Sequence, residues 1–145
     1  MPNIFLEDFD GAMQESTHRT LVDLRKVLLQ LHKVLLEFER IAYEQVHGRV
    51  SAGELLKLLI QHREFEWLHA VSEIVVRIDE VLDGEEEATE EQVRLILSEV
   101  RSLLIPTEDG SDFAGKYYLA LQRDPSAVLM HRAVREVLAA GARDR

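Results

Sequence analysis

Arg25, His32 and Glu39 follow one another at seven-residue steps. At 100° per residue this spacing lays a guanidinium, an imidazole and a carboxylate along one line of an α-helix. The imidazole changes charge near neutral pH, and the flanking groups bind charges of opposite sign. Such a set suits a small ligand, a metal ion or acid–base chemistry. Two further residues extend it. His131 falls inside an apolar helix face made by Ala127, Met130, Val134, Val137 and Leu138, and Tyr117 lies on the apolar side of its own helix. The candidate inward polar site is therefore Arg25, His32, Glu39, Tyr117 and His131. It requires that the helices carrying His32 and His131 pack together.

Other chemistries find less support. Glu15-Ser-Thr-His18 and Glu66-Trp-Leu-His69 match the Glu-x-x-His ligand spacing of di-iron bundles. Chance supplies about 0.7 such matches in a chain this rich in Glu and His. Glu66, His69 and Glu73 are expected on the polar face of their helix, where a buried metal site cannot use them. The pairs His62–Glu66 and His69–Glu73 have i,i+4 spacing but fall on the same polar surface. No Gly-rich phosphate loop, His-Glu-x-x-His or Gly-x-Ser-x-Gly occurs, and the acidic run 83–91 lacks calcium-loop spacing. With no Cys there is neither thiolate ligand nor thiol nucleophile. No metal, cofactor or catalytic residue is expected, and the balance leans away from an enzyme.

The polar line sits on the most regular element of the chain. Thr17 to His47 contains no Gly or Pro, and Leu21, Leu24, Leu28, Leu31, Leu35 and Phe38 alternate in steps of three and four. This predicts a long helix over about 17–47, capped by Ser16 or Thr17 and stopped by Gly48. Two further rows, Thr20-Val27-Val34-Ile41 and Val22-Leu29-Leu36-Tyr43, flank the seam. The apolar arc is too wide for one partner helix, so the helix is central and touches several neighbours. Burying Arg25, His32 and Glu39 unpaired would be costly. The preferred expectation is that they pair within the bundle or reach solvent at a seam between helices.

The remaining chain predicts five shorter helices. Ser51-Ala-Gly-Glu54 is a capping box that opens a helix over about 52–61, and the shift of the apolar face places a break near 61–64. A helix over 64–83 follows, with Phe65 and Trp67 as core anchors. Thr89-Glu-Glu-Gln92 opens another over 90–105. Ser111 or Asp112 opens a short one to Arg123, and Asp124-Pro125 starts the last, to about Ala140. The fold class is all-α: a bundle of five to six helices around one long helix, in a single domain over 16–140. Residues 141–145 are expected as a frayed tail.

The stretches Phe65–Asp83 and Leu121-Gln-Arg-Asp-Pro125 resemble a group of small, uncharacterised bacterial all-helical proteins. The resemblance implies a helical fold and a bacterial cytoplasmic source, and it carries no activity or site residue.

Net charge is −10, but the acidity is local. Residues 1–18 hold four acids and 79–91 hold eight, both without Lys or Arg. The basic stripe that phosphate backbones and anionic lipid require is missing, so neither nucleic acid nor membrane is an expected partner. No run approaches the ~20 apolar residues of a membrane span. A soluble cytoplasmic protein is expected. Residues 1–15 combine acids with Ile4, Phe5, Leu6 and Phe9, a composition suited either to packing on the bundle or to contacting a protein partner. The expected function is non-catalytic, through protein contacts with itself or another protein, as a homodimer. The alternative is a ligand- or metal-binding bundle built on the inward polar line.

Overall fold

The computed structural model describes residues 4–108 and 112–143, and side chains from Glu15 onward. Among these residues there are six α-helices, one 3-10 segment and no strand. The helices are α1 (Ile4–His47), α2 (Ala52–Gln61), α3 (His69–Asp83), α4 (Glu90–Leu103), α5 (Asp112–Arg123) and α6 (Pro125–Arg143), with the 3-10 segment at Arg63–Leu68. The all-α bundle around one long helix is as expected.

α1 is the axis. Its row Leu21, Leu24, Leu28, Leu31 and Leu35 is completely buried. The helix contacts α3, α4, α5, α6 and the 3-10 segment, which is why its apolar arc is wide. Its start differs from the expected one. Ser16 and Thr17 are not caps but lie within a continuous helix that begins at Ile4. The Thr20 hydroxyl donates to the Ser16 carbonyl at 2.9 Å, and such back-bonding lets hydroxyl residues sit mid-helix. The side chains of Ile4, Phe5, Leu6 and Phe9 lie outside the described residues. At 44 residues α1 runs ~66 Å, against ~28 Å for α6. Its C-terminal turns therefore outrun their cover: Ile41, Ala42, Gln45 and Val46 are exposed.

Local chemistry accounts for the other boundaries. Gly48 ends α1 at φ 83°, and its amide donates to the Glu44 carbonyl at 2.9 Å. Ser51 caps α2 through the Glu54 amide, although only this hydroxyl half of the expected box forms. His62 is extended and its Nδ1 accepts from the Glu64 amide at 3.1 Å, which breaks the chain where the apolar face shifts. The residues after it form a 3-10 turn, tighter than the α-helix expected there, and this turn inserts Phe65, Trp67 and Leu68 into the core. Thr89 and Gln92 complete a reciprocal capping box on α4. Asp124 caps α6 through the Ser126 amide at 2.9 Å, with Pro125 in the first turn. The expected frayed tail begins too early: α6 continues to Arg143, and Gly141 is buried.

Candidate functional site

The polar line of α1 is real, but its members serve three separate places. α1 and α3 run antiparallel, so the line meets α3 and the 3-10 segment in reverse order. Near one end, Arg25 Nε donates to Asp79 of α3, and both side chains are partly exposed. This is a seam ion pair, and such pairs add little stability.

Glu39, at the other end, is buried at 5% exposure. Its Oε1 accepts from the Trp67 indole N–H at 3.1 Å and from Lys116 Nζ at 3.3 Å. One carboxylate oxygen thus ties α1 to the 3-10 segment and to α5. Trp67 continues into a row of rings: Phe113 lies 5.5 Å from it, and Tyr117 stacks on Phe113 at 5.2 Å. The Tyr117 hydroxyl lies 2.7 Å from His131 Nδ1, joining α5 to α6.

His32 lies between these two pairs. Its Nε2 is buried without a hydrogen-bond partner. Burial and the neighbouring His69 both hold its protonation below the ordinary imidazole range. His69 corrects the sequence expectation: instead of sitting on a polar face it is half-buried, with Nε2 2.6 Å from the Leu59 carbonyl of α2. A carbonyl only accepts, so this nitrogen carries the proton and donates.

The structure therefore joins Tyr117 to His131 and leaves His69 near enough to His32 to disfavour its protonation, and among the described residues no hydrogen bond or ring contact links His32 to His131. The five residues do not share one pocket. The partners that the sequence did not reveal are Asp79, Trp67, Lys116 and His69. Each lies on another element, and the helical repeat of α1 carries no signal for them. Among the described residues no group of three or more His, Asp or Glu side chains is placed to hold a metal ion. Among the described residues no helix is long and apolar enough to cross a membrane.

His32 has a consequence for pH. Its unfolded imidazole takes up a proton below its ordinary value of 6.5, whereas the folded one does so only at lower pH. Between these two values the unfolded chain binds more protons, so stability falls as pH drops below 6.5; above 6.5 both forms are neutral and His32 contributes nothing. Burial and Arg135 shift His131 in the same direction. Urea midpoints for the wild type are expected to fall between pH 7.5 and pH 5.5, and His32→Leu to reduce that fall. An equal fall in the variant would remove His32 from the account.

A second feature is what α2 leaves bare. It has the composition of a core helix, yet none of its residues is buried. Leu55, Leu58 and Leu59 pack partly on the core, while Leu56 and Ile60 point outward at 58% and 61% exposure. On α1, the row Val22-Leu29-Leu36-Tyr43 is partly covered towards its end, where the Tyr43 ring meets His62 and Phe65. At its start Val22 and Leu29 are exposed. Leu29 falls between Arg25 and His32, and exposed Val76 falls between Asp79 and His69. The antiparallel order of the Arg25–Asp79 and Glu39–Trp67 pairs puts these two at the same level along α1 and α3, and His69 links α3 to α2.

Comparison with protein-family models, with curated proteins and with solved structures finds no match for this chain.

Proposed function

We propose that this protein is a non-catalytic helical bundle that acts through protein contacts and associates as a homodimer. The observation that carries the reading is the exposure of Val22 and Leu29 on α1, Val76 on α3, and Leu56 and Ile60 on α2. A contiguous exposed apolar patch larger than a few hundred Å² marks an association surface, and the dimer requires that these side chains form one.

A second copy is the favoured occupant because of charge. Over residues 15–47, five acids (Glu15, Asp23, Glu37, Glu39, Glu44) face five bases (Arg19, Arg25, Lys26, Lys33, Arg40). On α2, Glu54 balances Lys57. α2 and the 15–47 part of α1 are thus neutral, α3 holds four acids (Glu73, Asp79, Glu80, Asp83) against Arg77, and the acidic surplus of a −10 chain lies at residues 1–18 and 79–91. Two copies can appose α2 and the 15–47 part of α1 without the like-charge penalty that the net charge of the chain suggests.

Light scattering at tens of micromolar is expected to give twice the chain mass of 16.7 kDa. The double variant Leu29→Glu/Val76→Glu is expected to run as a folded monomer. A clean wild-type monomer at that concentration overturns the dimer.

A further inference from the structure

A cleft of about 450 Å³ lies between the end of α4, with the residues after it, and one face of α6. Its charged and titratable lining is Arg101, His131 and Arg135, and among the described residues no carboxylate lines it. The setting makes this unusual. The chain has 27 acids against 17 Lys and Arg, and each of the other described clefts contains at least two acidic residues.

Five arginines elsewhere find carboxylates, while Arg19, Arg49, Arg63, Arg123 and Arg143 make no ion pair among the described residues. Arg25, Arg40, Arg77, Arg94 and Arg132 all make ion pairs. Among the described residues Arg101 and Arg135 make none. Arg101 is instead held at the wall by a backbone group: its Nη2 donates to the Leu138 carbonyl at 3.2 Å. That single bond leaves most of its five N–H donors unused.

His131 completes a set of donors. Burial pushes the Tyr117 phenol well above its ordinary range, so the hydroxyl keeps its proton. Donating that proton to His131 Nδ1 satisfies both buried atoms. The ring's own proton then sits on Nε2, at the edge away from Tyr117. Burial and Arg135 keep the ring neutral at pH 7. The polar side chains of the cleft thus offer two guanidinium forks and one imidazole N–H, with no side-chain acceptor. Leu104, Ile105 and Pro106 supply an apolar wall, and Ile105 is 61% exposed at the rim.

We infer that this cleft is a binding site for a small organic oxyanion, a carboxylate or phosphate group on a short apolar body. Arg101 and Arg135 take the oxygens in charge-assisted pairs, His131 Nε2–H adds a neutral donor, and the Leu104–Pro106 wall takes the apolar body. The site is independent of the dimer surface, which lies on α1, α2 and α3.

An amide-resolved NMR titration of the full chain with hexanoate, hexyl phosphate, hexanol and inorganic phosphate tests the inference. Saturable shifts confined to residues 101–106 and 131–139 are expected with at least one of the two organic anions, and none with hexanol. Arg101→Met/Arg135→Met should weaken that binding at least tenfold while lowering the melting temperature only slightly, because both side chains are exposed and Arg101 gives up one bond to the Leu138 carbonyl. Ile105→Ser should weaken the organic anion more than inorganic phosphate. The inference fails if neither organic anion saturates, or if the double arginine variant binds as the wild type does. It fails equally if inorganic phosphate binds as tightly as the hexyl anion, since the site is then an adventitious ion site only.

Discussion

Glu39→Ala is expected to lower the unfolding free energy by about 3 kcal/mol, a large share of the ~5–15 kcal/mol typical of a domain. Alanine removes the shared acceptor of two donors. The Trp67 indole N–H is left without its partner in the interior, and Trp67 is 93% buried in the sense that only 7% of it is exposed. An unpaired buried donor costs its full desolvation, about 1–3 kcal/mol. The Lys116 ammonium loses its carboxylate, a smaller loss because that side chain is partly in water. The volume of the acid is also lost from a packed contact between three elements. Glu39→Gln separates these contributions: its amide oxygen still accepts from the indole, so its cost should be about 1 kcal/mol. Trp67 is the sole tryptophan, so its fluorescence reports on the site directly. The alanine variant should show a lower urea midpoint and a red-shifted native emission. A midpoint within error of the wild type would mean that the bridge has no energetic role.

Gly141→Val is expected to cost about 3 kcal/mol through overpacking of the α1–α6 contact. A Cβ added at Gly141 would lie 2.9 Å from Thr20 Cγ2 and 3.3 Å from Leu97 Cδ1, and both neighbours are buried. Thr20 cannot turn aside freely, because it is β-branched and its hydroxyl is held by the Ser16 carbonyl. Gly141→Ala carries the same Cβ clash with less bulk. Its cost should be about 1 kcal/mol after the gain in helix propensity. Gly53 provides the contrast. It lies in α2 with open space around the Cβ position, so Gly53→Ala should stabilise by about 0.5–1 kcal/mol. Denaturation of the two alanine variants should therefore shift the midpoint in opposite directions. A shift of the same sign in both would show that propensity, not packing, governs residue 141.

Several elements follow from local patterns alone. The three-and-four repeat of α1 marks its buried row, because a helix that must bury one face repeats its apolar residues at helical spacing. The Thr89–Gln92 box and Asp124-Pro125 mark helix starts, since capping uses neighbours in sequence. The break at His62 shows as a shift of the apolar face. The seven-residue spacing of Arg25, His32 and Glu39 likewise places them on one line of one helix.

What those residues do is decided between elements. Asp79, His69, Trp67 and Lys116 reach the line from α3, the 3-10 segment and α5, and a helical repeat records only which face is buried, not what meets it. Sequence placed His131 and Tyr117 on apolar faces, and only packing made them partners of each other and left His32 with His69. His131 and Arg135 share a face by i,i+4 spacing, whereas Arg101 joins them only because α4 lies against α6. The helices of this protein are written in its local order of residues, where capping and periodicity act over a few positions. Its pairings, its bare apolar edge and its basic cleft arise from contacts across tens of residues, whose geometry the packed bundle alone sets.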